Sequence, residues 1–218
     1  MEDQTAVFSL LELFQLGGVT MWPLTLYSIA TITIGIERAI FFAKHDLKLH
    51  DLGREVSARL AAGDWAGAKG FLEPLTAKRV GARVILAMLK SAEGKTFSEG
   101  RTGTAAESEA SDCIVSLESG LNFLVALGSI APLTGFLGTV TGMIGAFRSI
   151  AEATEVNAQI VAGGIYEALI TTVYGLLVAI FAMVFHTVFS HLVDGFASRT
   201  ERTCSGLLAE MVDLKEGK

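Results

Sequence analysis

The chain has 218 residues, of which 51% are hydrophobic and only 18% charged, with a net charge of −6. Ordinary soluble domains carry about 25% charged residues, so this composition and a mean hydropathy of +0.50 exclude a disordered or collagen-like chain. The acidic balance leaves no basic footprint for a phosphate backbone, which excludes a nucleic-acid binder. Cys113 and Cys204 form no CxxC motif and no Cys/His cluster, so neither a metal site nor a redox cofactor is expected.

The hydrophobicity sits in three blocks, and a membrane-spanning helix needs roughly 20 mainly apolar residues. Leu13 to Ile36 is uncharged, and a first transmembrane helix is expected over 13–43, behind a short N-terminal segment, 1–12. Residues 44–118 read as a soluble helical loop. In it DLGREVSARLAAGD places Leu52, Val56 and Leu60 on one helical face. Asp64 is the expected N-cap of a short helix ending near Glu73-Pro74. TAKRVGARVILAMLKSAEG repeats the pattern with Val80, Val84, Met88 and Ala87. KTFSEGRTGTAAES reads as a polar connection, and a helix beginning near Thr104 is expected to run unbroken into the second span, 119–147. A short connection, 148–162, then leads to a third span, 163–193, and a helical tail, 194–218. The uncharged run Ser119–Phe147 would reach about 44 Å as a helix, against a hydrocarbon core of about 30 Å. The expected fold is therefore an all-α integral membrane protein with three transmembrane helices. Spans two and three are expected to be long and to extend into the cytoplasm, beside the helical loop.

Lys and Arg counts set the orientation. Residues 1–16 carry none, 44–118 carry eleven, 148–166 carry one and the tail from 194 carries four. This bias puts the N-terminus outside and the loop and C-terminus in the cytoplasm, where both cysteines stay reduced. The N-terminus lacks the positive region of a cleaved signal peptide, so the first span is expected to remain as an anchor.

Span two carries small residues at heptad spacing: Gly128, Ala131, Gly135, Gly138, Gly142 and Gly145. A glycine inside a helix costs about 1 kcal/mol against alanine, and the compensating gain in membranes is close approach of helix backbones. The stripe reads as a packing or assembly seam. Span three has a matching stripe of Gly164, Ala168, Thr171, Gly175, Ala179, Ala182 and His186, opposite a face of Leu169, Val173, Leu176, Leu177, Ile180 and Val184. Thr172 flanks this stripe, and Thr139 flanks the glycine seam about 70° from its centre at 100° per residue. Pro132 removes one backbone hydrogen bond and is expected to kink span two, with Thr134, Ser129 or water in a cavity the expected partner of the freed carbonyl. Glu167 is the most informative ionisable residue, because a carboxylate within a membrane segment usually faces protein interior or water. Glu37 and Arg38 are expected at the interface. No GxSxG, HExxH or paired intramembrane aspartates occur, so an enzyme is not expected.

The run GSIAPLTGFLGTVTGMIGAF closely resembles the MotA/TolQ/ExbB proton-channel family, whose signature is approximately A-P-x-x-G-L-x-G-T-V-x-G. GGIYEALITTVYGLLVAI resembles that family's third span. GGVTMWPLTLYSIATITIGIERAIFF is similar to its first span, and AAGDWAGAKGFLEP to its cytoplasmic loop. Three spans favour the TolQ/ExbB branch over MotA, which has four. One departure is Phe181, in Ala179-Ile180-Phe181-Ala182, where the family often has proline.

The resemblance implies a homo-oligomeric inner-membrane motor subunit, typically a pentamer, around a dimer of a single-span ExbD/TolR-type partner. That partner's span carries an aspartate for the transported proton, and a TonB/TolA-like envelope protein completes the system. By position the resemblance assigns pore-lining roles to Thr139, Thr172 and Glu167, and Thr171 lies beside them. The rival reading is a passive membrane scaffold, in which the glycine seams assemble helices and no ion flows.

Overall fold

The computed structural model describes residues 17–93, 97–152 and 158–216. Its elements are α1 (Met21–Lys44), α2 (His50–Ala61), α3 (Trp65–Leu72), a 3-10 turn (Glu73–Leu75), α4 (Val80–Ala92), α5 (Glu99–Glu118), α6 (Leu121–Glu152) and α7 (Ala158–Glu216). No strand occurs among the described residues. Among the described residues three helical stretches are long and apolar enough to cross a membrane. They lie within Met21–Lys44, Glu99–Glu152 and Val161–Lys215, so the protein is the all-α membrane protein that its sequence predicts. α7 has 59 residues and would measure about 88 Å if straight.

The chain divides into two compact units, Met1–Ile36 with Gly120–Thr187, and Glu37–Ser119 with Val188–Lys218. In the first unit, α1 begins at a turn. Gly18 has φ +63, and Met21 N–H donates to the Gly18 carbonyl at 3.2 Å. Met21 and Leu24 of α1 form an apolar cluster with Ala131, Ile170 and Val178, flanked by Tyr27 and Tyr174. The outward faces stay apolar and exposed, with Trp22, Leu26 and Ile29 on α1 and Leu133, Phe136 and Ile144 on α6. Such faces need lipid or other helices around them. Thr31 is buried with an unpartnered hydroxyl.

The second unit is a helical core. The expected face of α2 is buried, with Leu52, Val56 and Leu60 fully covered. Each such side chain contributes about 1.5–3 kcal/mol. Asp64 caps α3, accepting from Gly67 N–H at 2.8 Å. Val80, Val84 and Met88 are buried as expected, and Ile85, Leu86 and Leu89 join them. The stripe on α4 is therefore wider than the three-residue repeat, and Ala87 lies at its half-buried edge. Arg38 is also buried, paired with Glu37 at 2.7 Å and lying 5.1 Å from the Phe41 ring centre. Lys69 pairs with Glu93, and Arg83 with Glu109 at 2.7 Å. Burial pushes the Cys204 thiol up to about 11 and raises that of Cys113, so both stay protonated at neutral pH.

Two sequence expectations need correction. The helix expected from Thr104 starts at Glu99, because Ser98 accepts from Arg101 N–H at 3.5 Å and caps it. Much of the expected polar connection is thus helical. That helix does not run unbroken into span two. α5 stops at Glu118, and Gly120 takes φ +84 before α6 begins, a left-handed conformation that only glycine adopts readily. At the other end α6 continues to Glu152 and α7 starts at Ala158, so 148–152 and 158–162 of the expected connection are helical, and 153–157 lie outside the described residues. Residues 1–12 lie outside the described residues.

Candidate functional site

Glycine decides how α6 and α7 meet in the first unit. A Cβ added at Gly135 would lie 2.7 Å from the Thr171 carbonyl oxygen and 3.1 Å from Thr172 Cα. One at Gly175 would lie 2.6 Å from the Ala131 carbonyl oxygen. Further along, one at Gly142 would come within 3.1 Å of the Gly164 carbonyl oxygen, and one at Gly164 within 2.6 Å of Ala146 Cβ. The backbones touch where side chains would stand. Ala131, Ala168 and Ala179 are buried along this contact, and Gly138 faces Thr171 and Thr20. Gly128 sits at the edge, against Met183. Gly145 is different: it is exposed, and nothing lies within 4 Å of an added Cβ. Ala146 occupies the seam in its place, because the contact follows the true helical repeat and drifts off a strict heptad.

This close approach exposes the Gly135 carbonyl to hydroxyls of α7. Thr171 Oγ1 and Thr172 Oγ1 each lie 3.2 Å from it, and Thr171 Oγ1 is also 2.8 Å from the Ala168 carbonyl. Thr171 is fully buried, whereas Thr172 remains half-buried at the flank. One turn beyond Gly135, Thr139 is also half-buried and donates to the Phe136 carbonyl at 2.6 Å. Hydroxyls that donate to backbone keep their lone pairs free to accept. Thr139 and Thr172 therefore present acceptors on the flanks of one tight helix pair.

Glu167 lies elsewhere. It lies five positions before Thr172, about 140° around α7. Its carboxylate packs over Gly18, at the turn before α1. There it lines a cleft of about 520 Å³ with Thr20, Thr141 and Ser149. No motif in the sequence marks the hydroxyls of Thr20, Thr141 and Ser149 that join it. Thr141, Gly145 and Ser149 recur at i, i+4, i+8, and that polar stripe was the readable signal. Gly145 is a wall of this cleft rather than a member of the seam.

Pro132 is half-buried within a continuous α6. Ser129 donates to the Val125 carbonyl and Thr134 to the Ile130 carbonyl, both at 3.0 Å. Neither serves the Gly128 carbonyl that proline leaves free, because each hydroxyl finds its own carbonyl one turn back, and of the expected partners water in a cavity is left. Among the described residues no group of three or more His, Cys, Asp or Glu side chains could hold a metal ion.

The fold and this seam define a polytopic helical membrane protein with hydroxyl groups set into close-packed spans. Residues 76–202 match the MotA/TolQ/ExbB proton channel family. Two ExbB-like biopolymer transport proteins of Synechocystis sp. are similar over most of the chain. ExbB-like 1 is 35% identical over 87% of this chain and 75% of its own length, and ExbB-like 3 is 33% identical over 86% and 88%. The Tol-Pal system protein TolQ of Pseudomonas aeruginosa is 43% identical over 34% of this chain and 32% of its own length. The chain belongs to the MotA/TolQ/ExbB proton channel family, on its ExbB/TolQ branch.

Proposed function

We propose that the protein is a proton-conducting, inner-membrane motor subunit, which couples proton-motive force to movement of a single-span ExbD/TolR-type partner. The observation that carries this reading is the pair Thr139 and Thr172, half-exposed hydroxyls on the flanks of a close-packed helix pair. Family membership supports a channel. The exposed apolar faces of α1, α6 and α7 suit a homopentamer around a dimer of the partner. The N-terminus is periplasmic and the C-terminus cytoplasmic, as the Lys and Arg bias indicates. The segments 13–43, 119–147 and 163–193 cross the bilayer, and 44–118 with 194–218 form the cytoplasmic part.

In this reading a proton enters from outside through the Glu167 cleft and neutralises the partner's intramembrane aspartate. A charged carboxylate is costly among apolar helices. Thr139 and Thr172 lower that cost when their hydroxyls rotate from the Phe136 and Gly135 carbonyls to donate to it in its charged form, and bound water donates as well. Neutralising and recharging the aspartate changes which face of the oligomer it prefers, and the partner moves relative to the ring. A potential of 100 mV supplies about 2.3 kcal/mol per charge, so several protons accompany each unit of work passed to a TonB/TolA-like envelope protein. The activity is transport rather than catalysis.

The test is proton flux into vesicles that hold the oligomer with its partner. A hydrogen bond to a charged group is worth about 1.5–3 kcal/mol, so Thr139→Val and Thr172→Val should each slow flux about tenfold or more with assembly intact. In the rival reading, a passive scaffold held by the glycine seams, both variants keep full function. Flux that survives both changes together with Glu167→Gln would overturn the pathway.

A further inference from the structure

The second unit holds a long groove that its own core does not fill. It lies between α5 and α7, from Gly103 to Glu118 on one wall and from Asp194 to Leu208 on the other, with a volume of about 760 Å³. At 1.5 Å per residue its length is about 22 Å. Met88, Ile114, Val115 and Leu208 make it apolar, and Val115 is 64% exposed. Thr200 is buried at its wall with no partner for its hydroxyl. Its charged residues are Glu107, Glu118, Asp194 and Glu201, with no cation in the lining. All four are exposed, and none forms an ion pair among the described residues.

We infer that this groove docks a basic amphipathic helix, the membrane-flanking cytoplasmic segment of the single-span partner. The inference rests on the proposed motor reading for the existence of that partner. Charge complementarity carries the choice of occupant. Four uncompensated carboxylates rim an apolar floor, which is the pattern of a groove that takes one face of a helix and selects cationic flanks. Glu118 and Asp194 adjoin in sequence the uncharged runs Ser119–Phe147 and Ala168–Val193, so the groove belongs to the part of the chain that leaves the bilayer. A single-span protein crossing the same membrane carries its excess Lys and Arg on the cytoplasmic side of its span. The groove is acidic where that segment is basic.

The probe is a labelled helix-forming peptide of about 14 residues, the length of the groove, with leucines on one face and lysines on the flanks. It is titrated against the full-length, detergent-purified protein. Saturable binding is expected, weakened about tenfold by Glu107→Gln with Glu201→Gln, and weakened by salt as exposed charges are screened. A matched peptide with Gln in place of Lys should not bind. Both substituted residues are exposed, and an unchanged thermal unfolding curve shows that the variant is folded. Equal affinity of the peptide for the native and Gln-substituted chains overturns the inference. A photoreactive benzoylphenylalanine at Val115 should crosslink to the peptide. If it crosslinks only to a second copy of the chain, and excess peptide does not compete, the groove is a contact between copies and the inference fails. Proton flux is not read here. A failed groove therefore leaves the threonine test standing, and flux indifferent to Thr139 and Thr172 leaves peptide binding to be judged by itself.

Discussion

Whether a glycine in this protein is structural depends on what its missing side chain would meet. Gly135 and Gly145 lie on the same helix, ten positions apart, and look alike in the sequence. A methyl at Gly135 has to push a backbone carbonyl 2.7 Å away, and such overpacking costs typically 1–3 kcal/mol, roughly. A methyl at Gly145 meets open space and gains about 1 kcal/mol of helix propensity. Gly135→Ala should therefore lower resistance to denaturant in detergent, while Gly145→Ala should leave it unchanged or raise it. Equal destabilisation by both would show that the seam extends over Gly145 through a neighbouring chain. The hydroxyls divide in the same way. Thr171 is buried in the helix contact, and its neighbour Thr172 keeps one side free. Chemistry by residue type could not separate these two adjacent threonines. Their angular positions against α6 do.

At the scale of elements, the periodic helices were legible and their ends less so. The faces of α2 and α4 follow from apolar spacing alone, and Asp64 was readable as a cap because its carboxylate satisfies an otherwise unpaired N–H. The interruption between α5 and α6 was not, since Ser119-Gly120 lies at the margin of a long uncharged run in which glycine recurs as a packing residue. Only its φ of +84 marks Gly120 as a joint. Gly120→Ala forces a side chain into the left-handed region, at a cost of about 1–2 kcal/mol. The expected result is a lower unfolding midpoint, or a continuous helix across the joint, detected as extra helical signal in circular dichroism. An unchanged midpoint and an unchanged spectrum would mean that the joint is not held in that conformation.

At the scale of the whole molecule, the apolar surface is the dominant fact. Trp22, Ile29, Phe136, Leu137, Val173 and Ile180 are all exposed, on three different helices. A single chain leaves too much of this surface uncovered for all of it to be explained by internal packing. Extraction in mild detergent followed by native mass determination should give a closed oligomer, with five copies the expected number, and a co-purifying single-span protein with an intramembrane aspartate. A monomer under gentle extraction, or an oligomer that never retains such a partner after crosslinking in cells, would remove the basis for a motor.

The amino-acid sequence by itself determined the solvent and the class of this protein. Long uncharged runs can be satisfied only by helices in a bilayer, small-residue stripes can be compensated only by close helix contact, and the motifs of spans two and three carry the family. These are properties of composition and spacing along one chain. The tertiary structure decided which members of each stripe are used. Gly145 leaves the seam and Ala146 enters it, Glu167 turns to Gly18 and away from Thr172, and Thr20, Thr141 and Ser149 join it around one cleft. The physical reason is that a stripe specifies a face of about 100° or more, whereas a contact or a hydrogen bond requires an angle and a distance, and those are set only when a second helix is in place.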